Sequence, residues 1–71
     1  MTGCDTIGIE LNGERRELSR TSVAGLVASL GLRPEVVAVE VNQTLVPRAE
    51  RERRALESGD RVEVVTLVGG G

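Results

Sequence analysis

The sequence predicts an α+β fold: one mixed sheet of four to five strands with a single main helix across one face. Three observations predict it. Residues 6–18 alternate and then turn back on themselves through Asn-Gly, as a hairpin does. Residues 23–30 carry apolar side chains at helical spacing. Two valine-rich stretches follow, 35–43 and 61–68, each of strand length. A hairpin, a helix and then further strands is the order of an α+β layer structure.

The first strand is TIGIEL, 6–11. Ile7, Ile9 and Leu11 point one way, and Thr6, Gly8 and Glu10 the other. Asn12-Gly13 suits a type I′ turn, which needs positive φ at both central residues. A two-residue turn pairs Leu11 with Glu14, Ile9 with Arg16 and Ile7 with Leu18. ERREL, 14–18, is then the returning strand, and only Leu18 adds much to a core. Its charges mark an outer strand.

The helix is expected within SRTSVAGLVASLGLRP, 19–34. Val23, Leu26, Val27 and Leu30 form its apolar stripe. Thr21 or Ser22 caps its start. Gly31 suits the left-handed position after the last turn, with Leu32 folding back toward Val27, and Pro34 stops continuation. Gly25 costs about 1 kcal/mol relative to Ala in a helix, a cost that suits a close approach to the sheet. In 35–43, Val37, Val39 and Val41 face the core, Ala38 and Glu40 face out, and Asn42-Gln43 is a turn. Thr44–Pro47 is a short extended piece with Pro47 at an edge or strand end. Residues 48–60 read as a solvated short helix or loop, with Ala49, Ala55 and Leu56 as its apolar contacts, closing in the turn Ser58-Gly59-Asp60. The last strand is 61–68. Val62, Val64, Thr66 and Val68 share one face, with Val65 and Leu67 on the other. Apolar residues on both faces mark a central strand, parallel to the first, or a surface that a partner covers.

The 71 residues suffice for one domain, expected over 1–68, with a glycine tail at 69–71. Phe, Tyr and Trp are absent, so Val, Leu, Ile and Ala build the core. There is no His and one Cys, which excludes most catalytic and metal constellations. Cys4 reads as a terminal residue rather than a reactive thiol, and a lone Cys fits a reducing cytoplasm. No apolar run approaches a membrane span, and no signal peptide or prenylation box is recognisable. A net charge of −2 with no aromatic residue argues against nucleic-acid binding.

The chemistry points to the C-terminus. Gly69, Gly70 and Gly71 directly follow the last strand. Lacking Cβ, glycine enters channels too narrow for other residues, and three residues reach roughly 10 Å. That length places a terminal carboxylate in a partner's active site while the body stays outside. The carboxylate is ionised at neutral pH and is a nucleophile toward a nucleotide phosphate. Val65, Leu67 and Val68, with Leu45 and Val46, are the candidate docking patch beside the tail.

In its pieces LNGERREL, TSVAGLVASLGL, VAVEVNQTLVPR and LESGDRVEVVTLVGGG the chain resembles the β-grasp, ubiquitin-like sulfur carriers of the ThiS/MoaD superfamily, and most closely the ThiS family of thiamine biosynthesis. The resemblance runs from about Ile7 to Gly71. It implies that an E1-like, ThiF-like adenylyltransferase uses ATP and Mg²⁺ to adenylate Gly71. Sulfur from a cysteine desulfurase then converts the adenylate to a thiocarboxylate, and a ThiG-like thiazole synthase takes the sulfur. On this reading the chain is a protein cosubstrate, binds no cofactor itself and has no catalytic residue. Three alternatives remain. One is a carrier for molybdopterin or for amino-acid or natural-product sulfur. Another is a ubiquitin-like modifier, for which the absence of Lys excludes self-linked chains through side-chain amines. The third is a plain binding module, which leaves the tail unexplained.

Overall fold

A computed structural model describes residues 5–67. Five strands, β1 (Thr6–Leu11), β2 (Glu14–Ser19), β3 (Val37–Val41), β4 (Thr44–Leu45) and β5 (Arg61–Thr66), form one sheet in the order β2-β1-β5-β3-β4. One α-helix, α1 (Val23–Ser29), packs across its inner face, and short 3-10 turns occupy 34–36 and 48–50. No helix among the described residues is long and apolar enough to cross a membrane.

The first hairpin has the expected register, with Leu11 opposite Glu14, Ile9 opposite Arg16 and Ile7 opposite Leu18. Asn12 and Gly13 have φ of 50° and 86°, as a type I′ turn requires. β2 lies at the sheet edge and β5 at its centre, parallel to β1 and antiparallel to β3. Ile7, Ile9, Leu11, Val37, Val39, Val41 and Val62 line the inner face and meet Val23, Leu26 and Val27 of α1.

The helix is shorter than 19–34. Ser22 caps it, its Oγ accepting the Gly25 N–H at 3.0 Å. The residues before Ser22 are bonded to other segments instead: Arg20 N–H donates to the Asp5 carbonyl, and the Thr21 carbonyl accepts from Leu56 N–H. At the other end Gly31 has φ of 75°. Its N–H donates to Ala28 and that of Leu32 donates to Val27, the two bonds of a Schellman closure. The nearest atoms that a Cβ at Gly25 would meet belong to Thr21 and Ser22 rather than to the sheet, so its smallness accommodates the turn before it.

The two later strands are also trimmed. Pro34–Val36 winds into a 3-10 turn, so β3 begins at Val37. β5 loses its ladder partner at the same point, since Thr66 lies opposite Val37, and the ladder stops there. The segment 48–60 departs furthest from expectation. Leu56 is fully buried, Asp60 is nearly so, and Arg51 is 6% exposed. The Arg51 guanidinium donates to the carbonyls of Pro34 (3.0 Å) and Val37 (2.7 Å), tying the segment to the start of β3. Asp60 accepts from the Glu57 N–H and from Asn42 Nδ2, which satisfies its carboxylate under the turn.

Candidate functional site

Gly69, Gly70, Gly71 and Val68 lie outside the described residues. The structure does describe the base from which they continue. Thr66 is the last strand residue, and the Leu67 N–H donates to the Val36 carbonyl at 2.6 Å. Val36 belongs to the 3-10 turn whose first carbonyl, that of Pro34, is held by Arg51 together with the carbonyl of Val37 just after it. The chain is therefore fixed by backbone and side-chain bonds up to Leu67, the last described residue.

Around that base the sheet's outer face carries an apolar patch beside two acids. Ala38 lies opposite Val65, and Glu40 opposite both Leu45 and Glu63. Leu45, Val65 and Leu67 are 58%, 55% and 53% exposed and are the exposed large apolar side chains among the described residues. Val46 corrects the expected patch. It is 6% exposed and belongs to the core, its N–H bonded to the Val39 carbonyl. Successive residues of an extended chain point to opposite faces, so with Leu45 outward Val46 is carried inward.

Two features escaped the sequence reading. Arg51 is one, because its partners are 17 and 14 residues away. The other is a groove of about 630 Å³ on the helix side, floored by Ala24, Val27, Leu32 and Pro34 and edged by Arg48 and Arg51. A cluster of residues able to hold a metal is absent among the described residues.

A family model matches residues 9–71, and that family is ThiS. The chain belongs to the ThiS family. The crystal structure of the thiamine biosynthesis protein ThiS from Geobacter metallireducens superposes with a TM-score of 0.79 at 26% identity, over 92% of this chain and all of the other. The five-stranded mixed sheet with one helix is thus the β-grasp fold of the ThiS family. A 66-residue stretch is 36% identical to the uncharacterized protein ycf40 of Porphyra purpurea, covering 92% of this chain and 93% of that protein. Two thiazole synthases also match. That of Magnetococcus marinus is 42% identical over 64 residues, and that of Paramagnetospirillum magneticum 39% over 62. This ThiS-family chain spans about a fifth of the length of either synthase, 20% and 19% respectively, and 89% and 86% of itself is covered.

Proposed function

We propose that this chain is a sulfur carrier for thiazole formation in thiamine biosynthesis, with Gly71 as the residue that is charged and discharged. The observation that carries the reading is the extent of the family match: it runs through the terminal glycines to Gly71 rather than stopping at the folded body. The thiazole synthases support the destination, since each holds a stretch similar to this chain within one polypeptide. That juxtaposition favours thiazole formation over molybdopterin.

The steps follow from the end group. A carboxylate oxygen of Gly71 attacks the α-phosphorus of ATP on an E1-like, ThiF-like adenylyltransferase, and pyrophosphate leaves. Mg²⁺ belongs to that enzyme. The terminal sulfur of a persulfide, formed by a cysteine desulfurase, attacks the acyl carbon and AMP leaves. A thiol then reduces the acyl disulfide, releasing the thiocarboxylate and a new disulfide. On the ThiG-like synthase the sulfur passes to the thiazole precursor, and an oxygen from that precursor or from water replaces it on the acyl carbon, which restores the carboxylate. The carrier contributes its end group and its docking surface: Leu45, Val65 and Leu67, beside the tail's root, are the side chains that orient it.

Incubating the protein with the adenylating enzyme, ATP, a cysteine desulfurase, cysteine and a thiol is expected to add a mass equal to one sulfur-for-oxygen exchange. Fragmentation places that mass on Gly71. No mass change with an adenylating enzyme that is active on another carrier would overturn the proposal.

A further inference from the structure

The sheet's outer face carries a charge arrangement that folding alone disfavours. Glu40 of β3 and Glu63 of β5 are direct antiparallel partners, so their side chains leave the same face side by side. Both are exposed. Like charges directly opposite one another destabilise a sheet. Two other acids of the sheet have an arginine: Glu10 meets Arg61 and Glu17 meets Arg15, each at 3.6 Å, while Glu14, beside the hairpin turn, has no ion pair among the described residues. Glu40 and Glu63 have no ion pair among the described residues. Arg61 precedes Glu63 by two positions on the same face and turns instead to Glu10. The acid pair is also set into the apolar patch. Leu45 flanks Glu40 on its far side, and Ala38 with Val65 forms the next row toward Leu67.

We infer that this face receives a partner that places an Arg or Lys between Glu40 and Glu63 and covers Leu45, Val65 and Leu67 with apolar groups. The inference rests on the sulfur-carrier reading and names the adenylating enzyme as that partner, because the patch runs directly into the root of the tail. A second copy of this chain stacked patch on patch sets carboxylates against carboxylates, which disfavours it as the occupant. A cation enclosed by the apolar rim interacts with the pair at lower effective dielectric than in water, so the pair contributes register as well as attraction.

The test is ATP–pyrophosphate exchange by the adenylating enzyme of the same genome, with the carrier as varied substrate, over a series of salt concentrations. The E40Q/E63Q carrier is expected to raise KM about tenfold with kcat unchanged, the pattern of lost uniform binding, and to flatten the rise of KM with salt. The E40R/E63R carrier is expected to raise KM by more than about a hundredfold. Melting of E40Q/E63Q is expected at or above the wild-type temperature, since repulsion is relieved. A wild-type KM and salt slope in E40Q/E63Q overturns the docking inference alone. A lowered melting temperature overturns its premise that the pair opposes folding. If the wild-type carrier supports no exchange, the sulfur-carrier reading falls and this inference falls with it.

Discussion

Arg51 is a buried cation held by backbone carbonyls rather than by a carboxylate. Its two terminal nitrogens bond Pro34 and Val37, while Nε is buried with no hydrogen-bond partner among the described residues. Such a group is costly to bury and is retained where its bonds hold something in place. Here they hold the 3-10 turn at 34–36 against the segment 48–60, and that turn in turn accepts the Leu67 N–H. Replacing Arg51 by Met keeps most of the aliphatic stem and removes both bonds. R51M is therefore expected to cost about 2–3 kcal/mol in urea unfolding. R51K is expected to recover only part of this, because one ammonium cannot reproduce the planar fork. Amide exchange distinguishes the position from a general core contact: the Leu67 N–H should lose more protection in R51M than the amides of β1. Equal loss throughout would show that Arg51 does not specifically hold the tail's base.

The elements converge on β5, and the two turn asparagines are part of the reason. Asn12 accepts the Val64 N–H at its Oδ1 (2.9 Å) and donates from Nδ2 to the Val64 carbonyl (3.2 Å). Beyond the two β1–β5 ladder pairs, Glu10 with Arg61 and Leu11 with Val62, the amide side chain thus continues the pairing in place of backbone. Asn42 does the same for the start of the strand, its Oδ1 accepting the Arg61 N–H. Asn12→Gly retains a residue that tolerates positive φ and deletes only the amide. It is expected to cost about 0.5–1.5 kcal/mol and to expose the Val64 N–H to exchange; no change in either would reduce Asn12 to a turn former. The turn role of these asparagines was legible from Asn-Gly and Asn-Gln, because positive φ is a local demand. Their grip on β5 was not, because it depends on where a strand about fifty residues later comes to lie. The same division runs through the fold. Period-two valines marked β3 and β5, and the apolar stripe with Gly31 marked α1. The ends of these elements shifted where neighbours took over the backbone bonds, as at Thr66 and Val37. In the candidate site, Val65 and Leu67 were legible as apolar residues opposing the core face. The Glu40–Glu63 pair was not, because it exists only once the register between two distant strands is set.

At the scale of the whole molecule, body and end group are separable in what they do. The described core and the hydrogen bonds that hold it lie within residues 5–67, and the strand that leads toward Gly71 is secured as far as Leu67. Deleting Gly70 and Gly71 therefore removes none of those contacts, and the melting temperature is expected to stay within about 2 °C of the parent, a shift worth well under 1 kcal/mol for a domain of this size. Adding a residue after Gly71 should be equally harmless to the fold. It moves the terminal carboxylate onto a side-chain-bearing residue and converts that of Gly71 to an amide, which is no longer a nucleophile toward ATP. The extended protein should compete with the parent for the adenylating enzyme, because Leu45, Val65 and Leu67 are unchanged, and yet gain no sulfur. Unaltered melting with lost charging and retained competition assigns docking to the sheet face and chemistry to the end group. A large drop in melting on deletion would make the tail part of the folded body and would remove the basis for treating it as the transferred group's handle.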